Sequence, residues 1–154
     1  MYLLMLAATM IVLPLVSIVV QMAHGHHDAL NVGIVLRWFV FWAVGVRLLM
    51  AGVRQMIQPS YTAATILGIK DPDATIVVRE LGFANAAIGG IGMSTLLFSG
   101  WVLPMAMVGA IFYGLAGINH LGQKQRNKLQ NMAMTSDLFA ALVLLGLGLR
   151  ILMS

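Results

Sequence analysis

The sequence contains no cysteine. That excludes disulfides, thiolate metal sites and thiol nucleophiles together, and it leaves the redox compartment undetermined. Charge is nearly as scarce. Only 9% of the 154 residues are Asp, Glu, Lys or Arg, against roughly a quarter in ordinary soluble domains. Sequence motifs with a known chemistry are missing as well: there is no P-loop, G-x-S-x-G or H-E-x-x-H. Gly89-Gly90-Ile91-Gly92 lies inside an apolar run, where it cannot serve as a dinucleotide fingerprint. Histidines occur only at the ends of apolar runs, which excludes haem held between facing imidazoles within spans. The sequence requires no cofactor. A net charge of +4 does not imply nucleic acid as a partner, because the basic residues flank hydrophobic segments, where orientation and headgroup contact are the usual reasons for Lys and Arg.

Apolar residues make up 60% of the chain, and they fall into long runs. The five runs are about 2–22, 32–57, 76–98, 102–121 and 132–153. Each is near the ~20 residues that an α-helix needs to cross a ~30 Å hydrocarbon layer. None carries the polar stripe of a helix in a soluble bundle. The expected fold is all-α: an integral membrane antiparallel helical bundle of five spans forming one domain, with the lipid bilayer as its first partner. The first run has no basic n-region, so it reads as a retained span rather than a signal peptide. Pro14 lies inside it and should bend it. Ser99-Gly100-Trp101 reads as a tight hairpin, with Trp101 at the membrane interface.

The joint between the second and third runs has its own pattern. Pro59 and Ser60 suit a helix start and Gly68 a helix stop, so a short helix over about 60–68 should lie along the interface. Asp71-Pro72-Asp73 reads as a turn, with cation binding by the two carboxylates as the alternative. Five spans place the termini on opposite sides. Arg54, Lys70, Arg79, Lys124, Arg126 and Lys128 fall on the side of the N-terminus, while only Arg37 and Arg150 fall on the other. The positive-inside rule then predicts a cytoplasmic N-terminus and an external C-terminus in a bacterial inner membrane.

Small residues mark the third run: Gly82, Ala86, Gly89 and Gly90, with Gly92 beyond. Such spacing lets helix backbones approach closely. It serves packing within the bundle, or else a homo-oligomer or larger membrane complex assembled through the glycine faces.

Intramembrane polar residues are costly and usually have partners. Arg47, Arg54, Glu80, Asn85, Asn119, His120 and Asp137 come from four runs and sit at similar depth near one end of the bundle, which makes them a candidate polar pocket. Arg47 and Arg54 are seven residues apart and should project from one face. Arg47 is too deep to reach water and should be paired. Glu80 is the expected partner and Asp137 the alternative. An ion-pair clasp that only fixes helix packing and an active pocket remain equally open readings. A second cluster, His24-Gly25-His26-His27-Asp28, would place His24, His27 and Asp28 on one face if the first helix continued through it. Those ligand types suit Zn²⁺ or Cu²⁺, although the Gly argues for a loop and adventitious binding.

The stretch Arg79-Glu80-Leu81-Gly82-Phe83-Ala84-Asn85, followed by Ala86-Ala87-Ile88-Gly89, resembles the signature of a family of small bacterial multipass membrane proteins described only as a domain of unknown function. Phe41 to Arg47, Asn119-His120 and Asp137 resemble its pattern too. The resemblance covers roughly residues 37 to 150 and implies that Glu80, Asn85, His120 and Asp137 belong together. It also implies a His in relatives where this chain has Gln55. The family in turn loosely resembles DoxX-like helical bundles, some of which are linked with quinone-related oxidoreductase systems. Two function classes follow. The first is a non-enzymatic membrane protein that binds a small ligand or lipid, or acts as an accessory subunit. The second is a proton-coupled transporter or quinone-linked membrane enzyme, in which Glu80 or Asp137 exchanges a proton beside Arg47 and His120.

Overall fold

A computed structural model describes residues 2–24 and 31–154. The described residues are almost entirely helical: α1 (Tyr2–His24), α2 (Val32–Ile57), a short α3 (Tyr61–Leu67), α4 (Ala74–Ser94), α5 (Val102–Leu121) and α6 (Lys128–Leu152). A single 3₁₀ turn, Ser99–Trp101, leads into α5. All of these except α3 are long and apolar enough to cross a membrane.

Neighbouring helices run antiparallel, and the residue pairs across each interface show it. On α1 and α2, Trp42 Nε1 donates to Ser17 Oγ at 2.9 Å and Trp38 Nε1 to Gln21 Oε1 at 2.6 Å. On α2 and α4, Gly45 faces Gly92 and Met93 while Gly52 faces Gly82 and Ala86. On α5 and α6, Gly109 meets Leu144 and Gly117 meets Leu138. The α2–α4 contact is the closest of these. A Cβ on Gly52 would stand 2.5 Å from the Ala86 nitrogen, and one on Gly45 would stand 2.7 Å from that of Met93. The glycine face of α4 is therefore spent inside the chain. Backbones pack this tightly in a bilayer because dispersion, not water exclusion, holds helices together there.

The core runs along the bundle axis. Leu36, Val40, Val44 and Leu48 of α2 meet Ala106, Ala110 and Tyr113 of α5, Ala140 and Leu144 of α6, and Met10 and Ile18 of α1. Large apolar side chains also cover the outside, among them Leu4, Val19, Val77, Leu115 and Leu142. In water such a coat would be an aggregation surface; against acyl chains it is the solvated face. Phe98 and Trp101 stack with ring centroids 4.7 Å apart at the α4–α5 turn.

Several boundaries differ from the hydropathy reading, and each has a local cause. The third span ends at Ser94 rather than near Phe98. Ser94 Oγ and Thr95 Oγ1 turn back to the carbonyls of Ile91 and Gly92 at 2.7 and 2.6 Å, and such side-chain bonds compete with helix continuation. Arg37 Nη2 then donates to Leu96 O at 2.8 Å, beyond the helix end. The last span begins at Lys128 rather than 132, because Asn127 and Gln130 form a reciprocal capping box that satisfies two orphan amide groups. In α3, the chain leaves the helix through Gly68 at φ +74°, a left-handed geometry that suits glycine. Asp71-Pro72-Asp73 is a turn, with the Asp73 N–H bonded to Asp71 Oδ1 at 2.9 Å.

Three widened, π-type stretches interrupt the helices: Ala8–Val12, Val40–Val46 and α3 itself. The first sits immediately before Pro14. Proline has no N–H to offer the preceding turn and its ring clashes with the carbonyl four residues back; a wider turn absorbs both defects. The second stretch ends at Arg47 and spans Gly45, where α2 approaches α4.

Candidate functional site

Arg47 is the centre of the buried polar groups. It begins the regular turns that follow the widened part of α2, and it is 6% exposed. One guanidinium nitrogen, Nη2, donates to Asp137 Oδ1 at 2.6 Å and to Ser136 Oγ at 3.1 Å. The guanidinium carbon lies 4.6 Å from the centre of the Tyr113 ring, a cation–π contact. The Tyr113 hydroxyl donates in turn to the Ala43 carbonyl of α2. Three helices thus fix one cation. The partner is Asp137, not Glu80.

The polar residues surround a cavity of about 180 Å³. Arg47, Gln55, Asn85, Tyr113, His120 and Asp137 line it, with Tyr2 at one side. Asn85 Nδ2 donates to Gln55 Oε1 at 2.7 Å, which joins α4 to α2. Three polar atoms of residues that line this cavity are buried without a partner among the described residues: Arg47 Nη1, Asn85 Oδ1 and His120 Nδ1. Their parent residues are 6%, 4% and 8% exposed. A buried polar group left unsatisfied costs about 1–3 kcal/mol, so three such groups on residues around one cavity are a concentrated cost. By volume it has room for roughly six waters at ~30 Å³ each.

The other candidates from the sequence lie elsewhere. Glu80 is exposed on the outer face of α4 and does not line the cavity. Asn119 is exposed on α5, one residue before the inward-facing His120. Arg54 is exposed too, nearer the end of α2, with its guanidinium carbon 3.9 Å from the centre of the Tyr61 ring. It belongs to an outer groove of about 560 Å³ rather than to the cavity. His24 is exposed at the end of α1, its Nδ1 2.9 Å from the Val20 carbonyl. His27 and Asp28 lie outside the described residues, and no metal-ligand cluster occurs among the described ones.

Sequence reasoning did not single out Tyr2, Tyr113 or Ser136. Tyr113 was recoverable: it stands seven residues before His120, about two turns on one helix face. Ser136 is polar and adjacent to Asp137, but nothing in its spacing announces a contact with α2.

The chain belongs to a family of unknown function (DUF6790), whose family model matches residues 4–152. No curated protein and no solved structure matches it, so nothing among these comparisons carries the DoxX-like resemblance or its quinone-linked implication.

Proposed function

We propose that this membrane protein binds a small molecule whose polar part occupies the cavity between Arg47, Asn85 and His120. The observation that carries the reading is that three residues lining one 180 Å³ cavity each hold a buried polar atom without a partner among the described residues. A clasp built only to hold helices together would be finished by the Arg47–Asp137 pair, and its remaining polar atoms would be satisfied or replaced by apolar ones. Here the guanidinium is held by three helices while one of its nitrogens, Nη1, has no partner among the described residues. That is the arrangement of a preorganised binding group, fixed by packing before the ligand arrives.

The protein is oriented with its N-terminus, α3 and the α5–α6 joint in the cytoplasm of a bacterial cell. Arg54, Lys70, Arg79, Lys124, Arg126 and Lys128 all gather at that end, in keeping with the positive-inside rule. The cavity then lies in the cytoplasmic half of the bilayer.

Purification in native membrane patches, followed by mass spectrometry of the released small molecules, tests the reading. The wild type should release one molecule at near-stoichiometric amount, and the folded Asn85→Leu variant should lose most of it. Release of nothing beyond bulk lipid by either protein, or equal retention by both, would leave the cavity as a water-filled packing defect.

A further inference from the structure

Between the membrane-facing surface and the cavity there is a continuous wall. The outer groove of about 560 Å³ runs between the N-terminal turns of α1, the last turns of α2, and α3. It shares six lining residues with the cavity: Tyr2, Met5, Ala51, Gln55, Thr62 and Ile66. Away from these, the groove is walled by Leu49, Met50 and Val53 and carries Arg54 and Tyr61 near its end. A mostly apolar trough on the outside of the bundle therefore abuts the cavity, with the six shared side chains between the two. Building on the proposed binding function, we infer that the ligand is a single-chain, uncharged amphiphile that enters sideways from the bilayer, its head in the cavity and its tail in the groove.

The charge of the head follows from the cavity lining. Among the described residues, Arg47 and Asp137 are the only Lys, Arg, Asp or Glu side chains on the cavity, and they neutralise one another at 2.6 Å. A second charge would enter a low-dielectric space with no free counter-ion and would pay the full desolvation cost. The hydrogen-bonding pattern of the head follows from the unpartnered atoms. Arg47 Nη1 can only donate, and Asn85 Oδ1 can only accept. The head must therefore offer both an acceptor, such as an ester carbonyl or ether oxygen, and a hydroxyl donor. His120 Nδ1 takes either role, according to its tautomer. The number of tails follows from the dimensions: one groove meets the cavity through one shared wall. Access from lipid rather than water follows from the position of α1. Its Tyr2 and Met5 stand between groove and cavity, and the widened turn at Ala8–Val12, ahead of Pro14, is the place where α1 bends most readily.

The test uses 1-oleoylglycerol as probe, with the full chain in phosphatidylcholine nanodiscs and bound probe read by native mass spectrometry. Because the chain has no cysteine, Met5→Cys can be labelled alone with a bulky hydrophobic methanethiosulfonate and freed again by dithiothreitol. One probe molecule should bind per chain. Labelling should lower binding at least about tenfold, reduction of the same sample should restore it, and Asn85→Leu should lower it by about tenfold. Reversal by reductant separates a blocked passage from misfolding. If glycerol binds as well as 1-oleoylglycerol, the tail and the sideways route are wrong while the polar site stands. If oleate binds better, the charge argument fails. If binding depends on Asn85 but ignores the label, the ligand does not use the groove. If no probe binds at all, the amphiphile is the wrong class, and retention of some other molecule by the wild type would still uphold the cavity as a binding site.

Discussion

Replacing Arg47 by Met removes a cation that three helices share. The change deletes a 2.6 Å charge-assisted bond to Asp137, a 3.1 Å bond to Ser136 and a cation–π contact at 4.6 Å to Tyr113. The lost bonds are the smaller part of the cost. Asp137 is 7% exposed, and an unpaired carboxylate in that position loses its compensation while remaining desolvated. Breaking a buried pair from one side costs about 3–5 kcal/mol, a large share of a typical total stability of about 5–15 kcal/mol. Asp137→Leu alone leaves the guanidinium uncompensated and should cost a similar amount. The double variant Arg47→Met/Asp137→Leu removes both charges and substitutes apolar volume, so it should lose no more than about 1–3 kcal/mol. Arg54→Met supplies the contrast. Its guanidinium is exposed and only stacks on Tyr61, a contact worth about 0.5–1 kcal/mol.

Unfolding by SDS titration in bicelles, followed through the fluorescence of Trp38, Trp42 and Trp101, measures all four variants on one scale. The decisive quantity is the coupling between positions 47 and 137. Reasoning from the pair requires the double variant to be at least as stable as either single one. Additive losses, with the double variant worse than both, would refute it. The binding assay adds an independent axis. A double variant that refolds well yet retains no small molecule shows that Arg47 serves the ligand in addition to the bundle.

Gly52→Val should abolish folding or cost upwards of about 3 kcal/mol, because its Cβ would meet the α4 backbone at 2.5 Å; Gly90→Ala, with nothing within 4 Å of the added Cβ, should fall within about 0.5 kcal/mol of the wild type in the same titration. Arg126→Ala should destabilise the end of α5 by about 1–3 kcal/mol. Its Nη1 donates to the carbonyls of His120, Leu121 and Gln123 and its Nε to Asn131 Oδ1, so faster amide exchange confined to the α5–α6 joint is the expected signature. Glu80→Gln should change neither stability by more than about 0.5 kcal/mol nor ligand retention, since Glu80 is exposed and lines no part of the cavity. Loss of the bound molecule in that variant would restore Glu80 to the site.

The class of fold was readable from hydropathy because lipid permits so few solutions. A chain that must satisfy its backbone internally over a ~30 Å layer becomes helices of about the lengths seen, and the glycine spacing on α4 announced a close neighbour before its identity was known. The widened stretches were not readable beyond the bend expected at Pro14. Nothing in Val40–Val46 marks it as irregular: it is apolar and free of proline. It is contacted by α4 and α5, which lie about fifty to seventy residues away along the chain, at Gly92, Met93 and Tyr113. Local sequence carries no record of such contacts.

The polar site was half legible, and the missing half shows which sequence signal should have been weighed. Depth along each span gathered Arg47, Asn85, His120 and Asp137, which line one cavity, but depth says nothing about direction. On a helix turning about 100° per residue, Glu80 and Asn85, five residues apart, point about 140° away from each other. Both cannot face one cavity. The glycines decide between them: Gly82, Asn85 and Gly89 follow one another at spacings of three and four residues, so Asn85 lies on the face that α2 covers and Glu80 does not. The same arithmetic separates Asn119 from His120, which point about 100° apart, and joins His120 to Tyr113, within about 20° of one another. The small residues are the better compass in such a bundle because a glycine face must meet another helix, whereas a charge one turn from a helix end can reach the headgroup region. Of the two polar residues on this part of α4, Asn85 turns inward to the cavity and Glu80 outward.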